Sequence, residues 1–346
     1  MIKVNNYTET FNSYNVGRNR SIDILKGIGI SLVLVAHSLG GYVHTFAYSF
    51  HMPLFFLISG YFFHPKPIGE TLRKDFRRLM IPFFFTTLLM FVVSCILAPL
   101  NLDGIKTPQY TFEALIYGNA ANGNRHKIWG DFACVGSVWF LAALFWAKSV
   151  FNILYIKFNN LKASIILIFL SITSVVIGQY MLLPYSFIQG MTALPFLWIG
   201  YFLRMGGRDA IIHNTAYKTI FIILAILWLA STFQSSLNMA SIEWKYYYIP
   251  NVLLATVGTG VIYMVSSFIN SHLNGLATLL AFLGKYSIVL VCFPVVESYL
   301  IPLKDLIPTS VPFHGIVILG CKTLWVVLTL WLTINTPFLR RVFSIK

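Results

Sequence analysis

Charged residues are scarce in this chain. Asp, Glu, Lys and Arg together make up 10% of its 346 residues, whereas soluble domains carry about 25%. Hydrophobic residues account for 57%, and the mean hydropathy is +0.74. This number of charged residues is too small to cover the surface of a soluble protein. The composition therefore excludes a soluble enzyme or binding module and indicates a polytopic membrane protein.

Several chemical motifs are also absent. The sequence has no GxSxG elbow, no P-loop and no GxGxxG that follows a strand, so serine-hydrolase and nucleotide-hydrolase chemistry have no support. Its four cysteines form no CxxC pair and no Cys/His cluster with zinc spacing, so we expect no metal site. A disulfide between Cys95 and Cys134 stays open. The polar N-terminal segment lacks the apolar core and cleavage site of a signal peptide, so we expect the first apolar run to be retained.

Apolar runs of about 20 residues, the length that crosses a bilayer, recur along the chain. We interpret ten of them as transmembrane helices, at residues 22–41, 45–64, 80–99, 134–155, 163–179, 187–204, 216–234, 247–269, 279–300 and 313–336. This pattern predicts an all-α integral membrane protein. It has an N-terminal tail at 1–21, a ten-helix domain at 22–336 and a C-terminal tail at 337–346.

The Lys and Arg residues are distributed unevenly between the loops. With a cytoplasmic N-terminus, eighteen of the 25 fall in cytoplasmic segments, five in outer loops and two in spans. Cytoplasmic loops of membrane proteins carry such an excess of cations. The bias predicts that both termini are cytoplasmic, and it explains the net charge of +14 without nucleic acid as a partner.

Ionisable residues occur in the first two apolar runs, where they are costly. Asp23, Lys26 and His37 lie in the first run and His51 lies in the second. Lys26 and His37 are eleven residues apart, which places them on one helix face, about 16 Å apart along the axis. Because intramembrane ionisable residues are commonly functional, we expect a site along this face.

These residues resemble a known family. A Lys, ten residues and a His, followed by FHMPLFFLISGYFF at 50–63, are similar to the membrane acyltransferase 3 family of O-acyltransferases, in its branch of fucose 4-O-acetylases. The segments GSVWFLAALF (136–145), FLWIGY (196–201) and LGKYSI (283–288) resemble further parts of it. Many relatives have a His shortly after the Ser of the last segment, whereas here Ser287 is followed by Cys292, Phe293 and Pro294. A second catalytic imidazole from this span is therefore in doubt.

The resemblance implies an O-acetyltransferase in a bacterial cytoplasmic membrane. Acetyl-CoA would be the donor substrate, with no permanently bound cofactor, and the acceptor would be a sugar hydroxyl of a surface or lipid-linked glycan. A transporter or flippase of glycan intermediates is the alternative, although the sequence shows no internal repeat. An inert assembly scaffold is a third interpretation. The loop at about 100–133 is interpreted as a mobile external loop or a substrate lid.

Three residues near the outer ends of spans are candidate catalytic groups. His37, His51 and Glu297 are expected at similar depth. We predict that His37 is the general base that removes a proton from the acceptor hydroxyl, assisted by His51 or Glu297. Structural alternatives are a packing histidine and a carboxylate solvated at the interface. Direct transfer and a covalent acyl-His or acyl-Ser intermediate, through Ser38 or Ser59, both stay open.

A second group of charged residues lies near the cytoplasmic ends of the spans. We predict that it binds the phosphates of acyl-CoA. It comprises Lys26, Arg73, Lys74, Arg77 and Arg78, with Asp23 as an i,i+3 partner that supports Lys26. The alternatives are a positive-inside anchor and a lipid-headgroup contact. Trp139 is a candidate platform for the acceptor sugar, the alternative being a place in the aromatic belt.

Overall fold

The structure is a computed structural model that describes residues 19–100, 104–120, 133–207, 213–233, 237–242, 248–301, 303–308, 310 and 312–345. These residues form helices and one isolated parallel bridge between Asn119 and Cys134, without a strand. The helices are α1 (Arg20–Leu39), α2 (Gly41–Tyr48), α3 (His51–Tyr61), α4 (Ile68–Asp75), α5 (Ile81–Leu97), α6 (Pro108–Tyr117), α7 (Trp139–Lys157), α8 (Asn160–Ile177), α9 (Phe187–Thr192), α10 (Leu194–Phe202), α11 (Thr215–Ser231), α12 (Tyr248–His272), α13 (Asn274–Lys285), α14 (Ser287–Leu300), α15 (Leu303–Leu306), α16 (His314–Asn335) and α17 (Pro337–Val342).

The all-helical class is confirmed, whereas the number of spans and the side of the termini are not. Within the described ranges, six helices are long and apolar enough to cross a membrane, and two bent pairs, α9 with α10 and α13 with α14, raise the number to eight. The other two predicted spans are short or broken. The helix α11 has 17 residues, and the run at 45–64 divides between α2 and α3 because the helix is interrupted at Ser49 and Phe50.

The helices that carry the predicted site residues cross two other helices at glycine residues, and these close crossings fix their positions. A Cβ at Gly27 of α1 would overlap the carbonyl of Leu280 in α13, and one at Gly200 of α10 would overlap the carbonyl of Leu57 in α3. Small residues let membrane helices approach this closely. The interpretation of Gly200 as a packing residue is therefore confirmed, and α1 and α3 are each held against a neighbour.

The two ends of α1 are set by local sequence. At its start the Asn19 side chain accepts a hydrogen bond from the Ser21 backbone N–H, as an N-cap residue does. At its end Gly40 has φ +66°, a conformation that favours glycine. The chain turns there and enters α2 at once, which brings the rings of α2 beside the last turn of α1.

The predicted outer loop contains a helix. Thr107 caps α6 by accepting from the Tyr110 backbone N–H, and the hydroxyls of Ser94 and Thr111, 2.6 Å apart, tie α6 to α5. Residues 101–103 and 121–132 lie outside the described residues, so the lid and the mobile loop stay predictions. Residues 1–18 of the predicted N-terminal tail also lie outside them.

Cys95 and Cys134, for which the sequence left a disulfide open, are not bonded to each other in the structure. All four cysteines are free, and Cys134 Sγ lies 3.1 Å from the Tyr299 hydroxyl. The segment at 337–346 contains α17, and Phe343 after it is buried, with its ring centroid 5.9 Å from that of Phe85 and 5.6 Å from that of Phe293. This segment therefore packs on the bundle.

Candidate active site

A cavity of about 450 Å³ lies between α1, α3, α4, α7, α13 and α14, at the end of the bundle where α1 begins. We call it the basic cavity because cations dominate its charged lining. In the part of the chain that the structure describes, they are Lys26, Lys66, Lys74, Arg78, Lys148 and Lys285. Such a concentration of one sign of charge attracts anionic ligands.

Half of these cations form ion pairs. The pairs are Lys26 with Asp23 at 2.8 Å, Lys66 with Glu70 at 3.1 Å and Lys148 with Asp75 at 2.6 Å. The Asp23–Lys26 pair is the i,i+3 contact that the sequence predicts. Lys74, Arg78 and Lys285 have no carboxylate within ion-pair distance among the described residues. Their charge gives the basic cavity a positive excess, which suits a ligand with several phosphates.

A π-helical turn at Phe76–Met80 joins α4 to α5 and presents Arg78 to the basic cavity, while Lys74 reaches the same cavity from the last turn of α4. Lys74 and Arg78 line that cavity, whereas Arg73 and Arg77 are exposed and are not part of its lining. π-helical turns occur frequently at functional sites. The structure therefore divides the predicted cationic loop into two residues that face the cavity and two that do not.

His64 lies in the lining of the same cavity, in the linker after α3. Burial, followed by the guanidinium of Arg204, lowers the pKa of His64 below its usual value. The ring is therefore predominantly neutral at neutral pH. The lysines and Arg78, and not this imidazole, provide the positive charge of the cavity.

A second cavity, of about 210 Å³, lies further along α1 towards the end of that helix. We call it the histidine cavity; its polar lining comprises His37, Ser137, Ser298, Tyr299 and Lys322. Phe55, Phe140 and Val291 belong to the walls of both cavities. The two cavities are therefore neighbours along α1, and these three apolar side chains stand between them.

His37 contacts a group of rings from the turn after α1. The Tyr48 hydroxyl lies 3.4 Å from His37 Nε2, and the Tyr48 ring stacks on His44 with centroids 3.9 Å apart. Tyr48 also contacts the His51 ring, with ring centroids 4.7 Å apart. His51 is buried and its Nδ1–H donates to the Ala47 carbonyl, whereas His37 is exposed. Tyr48 thus links His37 to two other imidazoles, and His37 is the one that lines a cavity.

Glu297 lies beside a lysine of α16. Its Oε2 is 3.2 Å from Lys322 Nζ, and Lys322 Nζ also donates to the Ser298 hydroxyl at 3.2 Å. Glu297 is 2% exposed and Lys322 is 6% exposed, so the pair is buried. The sequence predicts Glu297 as a helper of His37; the structure gives it a cationic partner that lines the histidine cavity.

Trp139 is buried at the start of α7. It is 4% exposed, packs in the hydrophobic core and is not part of the lining of either cavity. Of the two serines named for a covalent route, Ser59 lines the basic cavity and Ser38 is buried with its hydroxyl donating to the Leu34 carbonyl. The structure does not place these three side chains around His37 in one cavity.

Sequence reasoning missed His44 and Lys322. His44 follows the glycine that ends α1, so the signal for its position is the Gly40–Gly41 pair between two apolar helices. Lys322 is a single cation within an apolar run, which is itself a signal of function. Among the residues that the structure describes, no group of three or more His, Cys, Asp or Glu side chains is suited to hold a metal ion.

Together these features define a helical membrane protein with a cation-lined cavity beside a cavity that holds an exposed imidazole. A family model described as an acyltransferase domain matches residues 19–338, nearly the whole chain. The chain belongs to the acyltransferase 3 family and is an integral membrane acyltransferase, which confirms the resemblance to that family as a whole. No curated protein and no solved structure matches it significantly.

Proposed function

We propose that this enzyme transfers an acetyl group from acetyl-CoA to a sugar hydroxyl of a surface or lipid-linked glycan, with His37 as the general base. One observation carries the proposal: the basic cavity and the histidine cavity lie next to each other along α1 and share the wall formed by Phe55, Phe140 and Val291. A donor with an anionic head and a reactive end on a long arm needs such a pair of cavities.

The basic cavity suits the nucleotide end of the donor. Coenzyme A carries phosphates at one end, and Lys74, Arg78 and Lys285 offer positive charge that the described carboxylates do not neutralise. A guanidinium can bind a phosphate through two parallel hydrogen bonds. With the phosphates there, the pantetheine arm extends along α1 past the shared wall, and the thioester reaches the histidine cavity.

His37 is the group that activates the acceptor. Its neutral imidazole removes the proton of a sugar hydroxyl, and the resulting alkoxide attacks the thioester carbonyl carbon. The new C–O bond gives a tetrahedral intermediate; the C–S bond then breaks, and the coenzyme A thiolate takes the proton back from the imidazolium. The exposure of His37 lets an acceptor reach it without crossing the bundle.

The distribution of cations supports one orientation of this reaction across the membrane. The end of the bundle with the basic cavity is the cytoplasmic end under the positive-inside rule, where acetyl-CoA is present. The acceptor then approaches His37 from the opposite side of a bacterial cytoplasmic membrane. Both termini are cytoplasmic in this arrangement.

The test uses membranes from expressing cells, labelled acetyl-CoA and a competent acceptor. We expect ester-linked label in the glycan fraction with the wild-type enzyme and a loss of at least 100-fold with His37→Ala, since general acid–base catalysis contributes typically 10²–10⁴-fold. His272→Ala is the matched control, because His272 is an exposed imidazole that lines neither cavity. Equal label in wild type and His37→Ala, at equal protein abundance, would remove His37 as the base. Substrate flux without transfer in the wild type would favour the transporter.

A further inference from the structure

Lys322 is a buried cation that has no role in the reaction as proposed above. It lies within α16, and its ammonium contacts the Glu297 carboxylate and the Ser298 hydroxyl of α14, each at 3.2 Å. An unpaired charge at this depth is costly, and the carboxylate offsets much of that cost. The ion pair is therefore compatible with a membrane interior.

The Lys322 side chain reaches the cavity that holds His37. Lys322 and Ser298 belong to the lining of the histidine cavity, whereas Glu297 does not. The helix α16 begins beside the end of α1, where a Cβ at Gly315 would lie 3.1 Å from the Leu39 side chain. Side chains lean towards the N-terminus of their own helix. Because α16 begins where α1 ends, the two helices run in opposite directions, and the side chains of His37 and Lys322 lean from their own helices towards each other.

The ammonium has capacity for another acceptor. A lysine carries three N–H donors, and the described residues provide two acceptors, on Glu297 and Ser298. These two contacts fix the position of the nitrogen, and both come from α14. A third donor is thus available on a group held in place at the wall of the cavity.

We propose that Lys322 is a catalytic residue that donates a hydrogen bond to the acyl carbonyl oxygen of the donor. The inference rests on the proposed acyl transfer. When the acceptor alkoxide adds to the thioester carbon, the C=O electron pair moves onto oxygen, and the Lys322 ammonium stabilises that oxyanion without giving up its proton. When the C–S bond breaks, the electron pair on oxygen returns to the carbonyl, and the leaving coenzyme A thiolate takes the proton from the His37 imidazolium.

The location makes this stabilisation effective. Charge interactions are stronger in an environment of low dielectric constant than in water, and a donor already fixed in place needs no reorganisation during the reaction. Glu297 keeps the resting site close to neutral, so that the negative charge appears only in the transition state. A substrate with a permanent anionic group at this position would instead compete with Glu297.

Three variants test the proposal: Lys322→Met, Glu297→Gln and the double variant with both changes. Lys322→Met removes the charge at similar length, and we expect kcat to fall by about 100- to 1,000-fold, the loss typical of an oxyanion donor, with KM for acetyl-CoA within about threefold. Glu297→Gln keeps the Lys322 donor but leaves it without its counter-charge, so we expect a lower unfolding temperature and, in the folded enzyme, a fall in kcat of less than tenfold. The double variant removes both buried charges and is expected to be as slow as Lys322→Met.

The double variant separates catalysis from folding. If the pair only holds the bundle together, Lys322→Met fails because it leaves Glu297 buried without a cation, and neutralising Glu297 as well restores activity. A double variant with kcat within tenfold of wild type therefore overturns the proposal. Thermal unfolding in detergent and acetyl-CoA binding, measured on the same samples, test whether the double variant is folded. A wild-type enzyme that forms no glycan ester refutes the proposed function itself, which is a different outcome.

Discussion

Replacing Arg78 by Gln is expected to weaken the interaction with acetyl-CoA, whereas replacing Arg77 by Gln is not. The two residues are neighbours on the same π-helical turn, both are exposed and both carry one positive charge. Arg78 lines the basic cavity and Arg77 does not. The pair therefore isolates the effect of facing the cavity from the effect of carrying a charge at this membrane surface.

The expected size follows from the kind of contact. A hydrogen bond to a charged group contributes about 1.5–3 kcal/mol. Because Arg78 is exposed, solvent and salt screen part of that interaction, and we expect about 1–2 kcal/mol, or a 5- to 30-fold increase in KM for acetyl-CoA. The increase should shrink as ionic strength rises. The change in KM for Arg77→Gln should be less than about twofold, as is usual for exposed substitutions away from a site.

Acetyl-pantetheine makes the assay specific, because it carries the thioester and its arm without the nucleotide phosphates. Initial rates of ester formation are measured with each donor for wild type, Arg77→Gln and Arg78→Gln in purified, reconstituted enzyme. We expect Arg78→Gln to lose activity with acetyl-CoA and to match wild type with acetyl-pantetheine. Equal losses for both variants, or an equal loss of Arg78→Gln with both donors, would refute phosphate binding in the basic cavity and favour a positive-inside anchor.

Two further predictions concern the wall and the helix crossings. Val291→Phe is expected to reduce kcat at least tenfold by filling the wall between the cavities, while acetyl-CoA binding measured by equilibrium dialysis stays within about twofold; unchanged kcat would mean that the donor takes another route. Gly200→Ala is expected to destabilise the enzyme by about 1–3 kcal/mol, because the new methyl group overlaps the Leu57 carbonyl. In Gly320→Ala, where a Cβ meets open space, the unfolding temperature should not fall, and equal destabilisation of both variants would contradict the crossing.

Local patterns in the sequence predicted those parts of the site that one helix determines. The Asp23–Lys26 pair follows from i,i+3 spacing, and the common face of Lys26 and His37 follows from helical geometry. In the structure Lys26 lines the basic cavity and His37 lines the histidine cavity, both next to the same helix. These features needed only the knowledge that residues 20–39 are helical.

Contacts between distant segments could not be predicted in this way. The Glu297–Lys322 pair joins two helices whose relative depth depends on a 71° bend between α13 and α14. Apolar runs show the length of a span but not such a bend, which is also why the count of ten spans is not confirmed by the structure. The burial of Trp139 likewise depends on how α7 packs, since an interfacial Trp and a core Trp look the same in sequence.

The wall formed by Phe55, Phe140 and Val291 has a consequence for the cell that carries this enzyme. Two polar chambers that approach each other from opposite faces of a membrane would form a leak for protons and ions if water connected them. Apolar side chains that exclude water act as an electrical insulator, as hydrophobic constrictions do in channels. The ring centroids of Phe55 and Phe140 are 5.4 Å apart. In the proposed arrangement, these rings would let the membrane keep its voltage while a neutral acyl group reaches the histidine cavity.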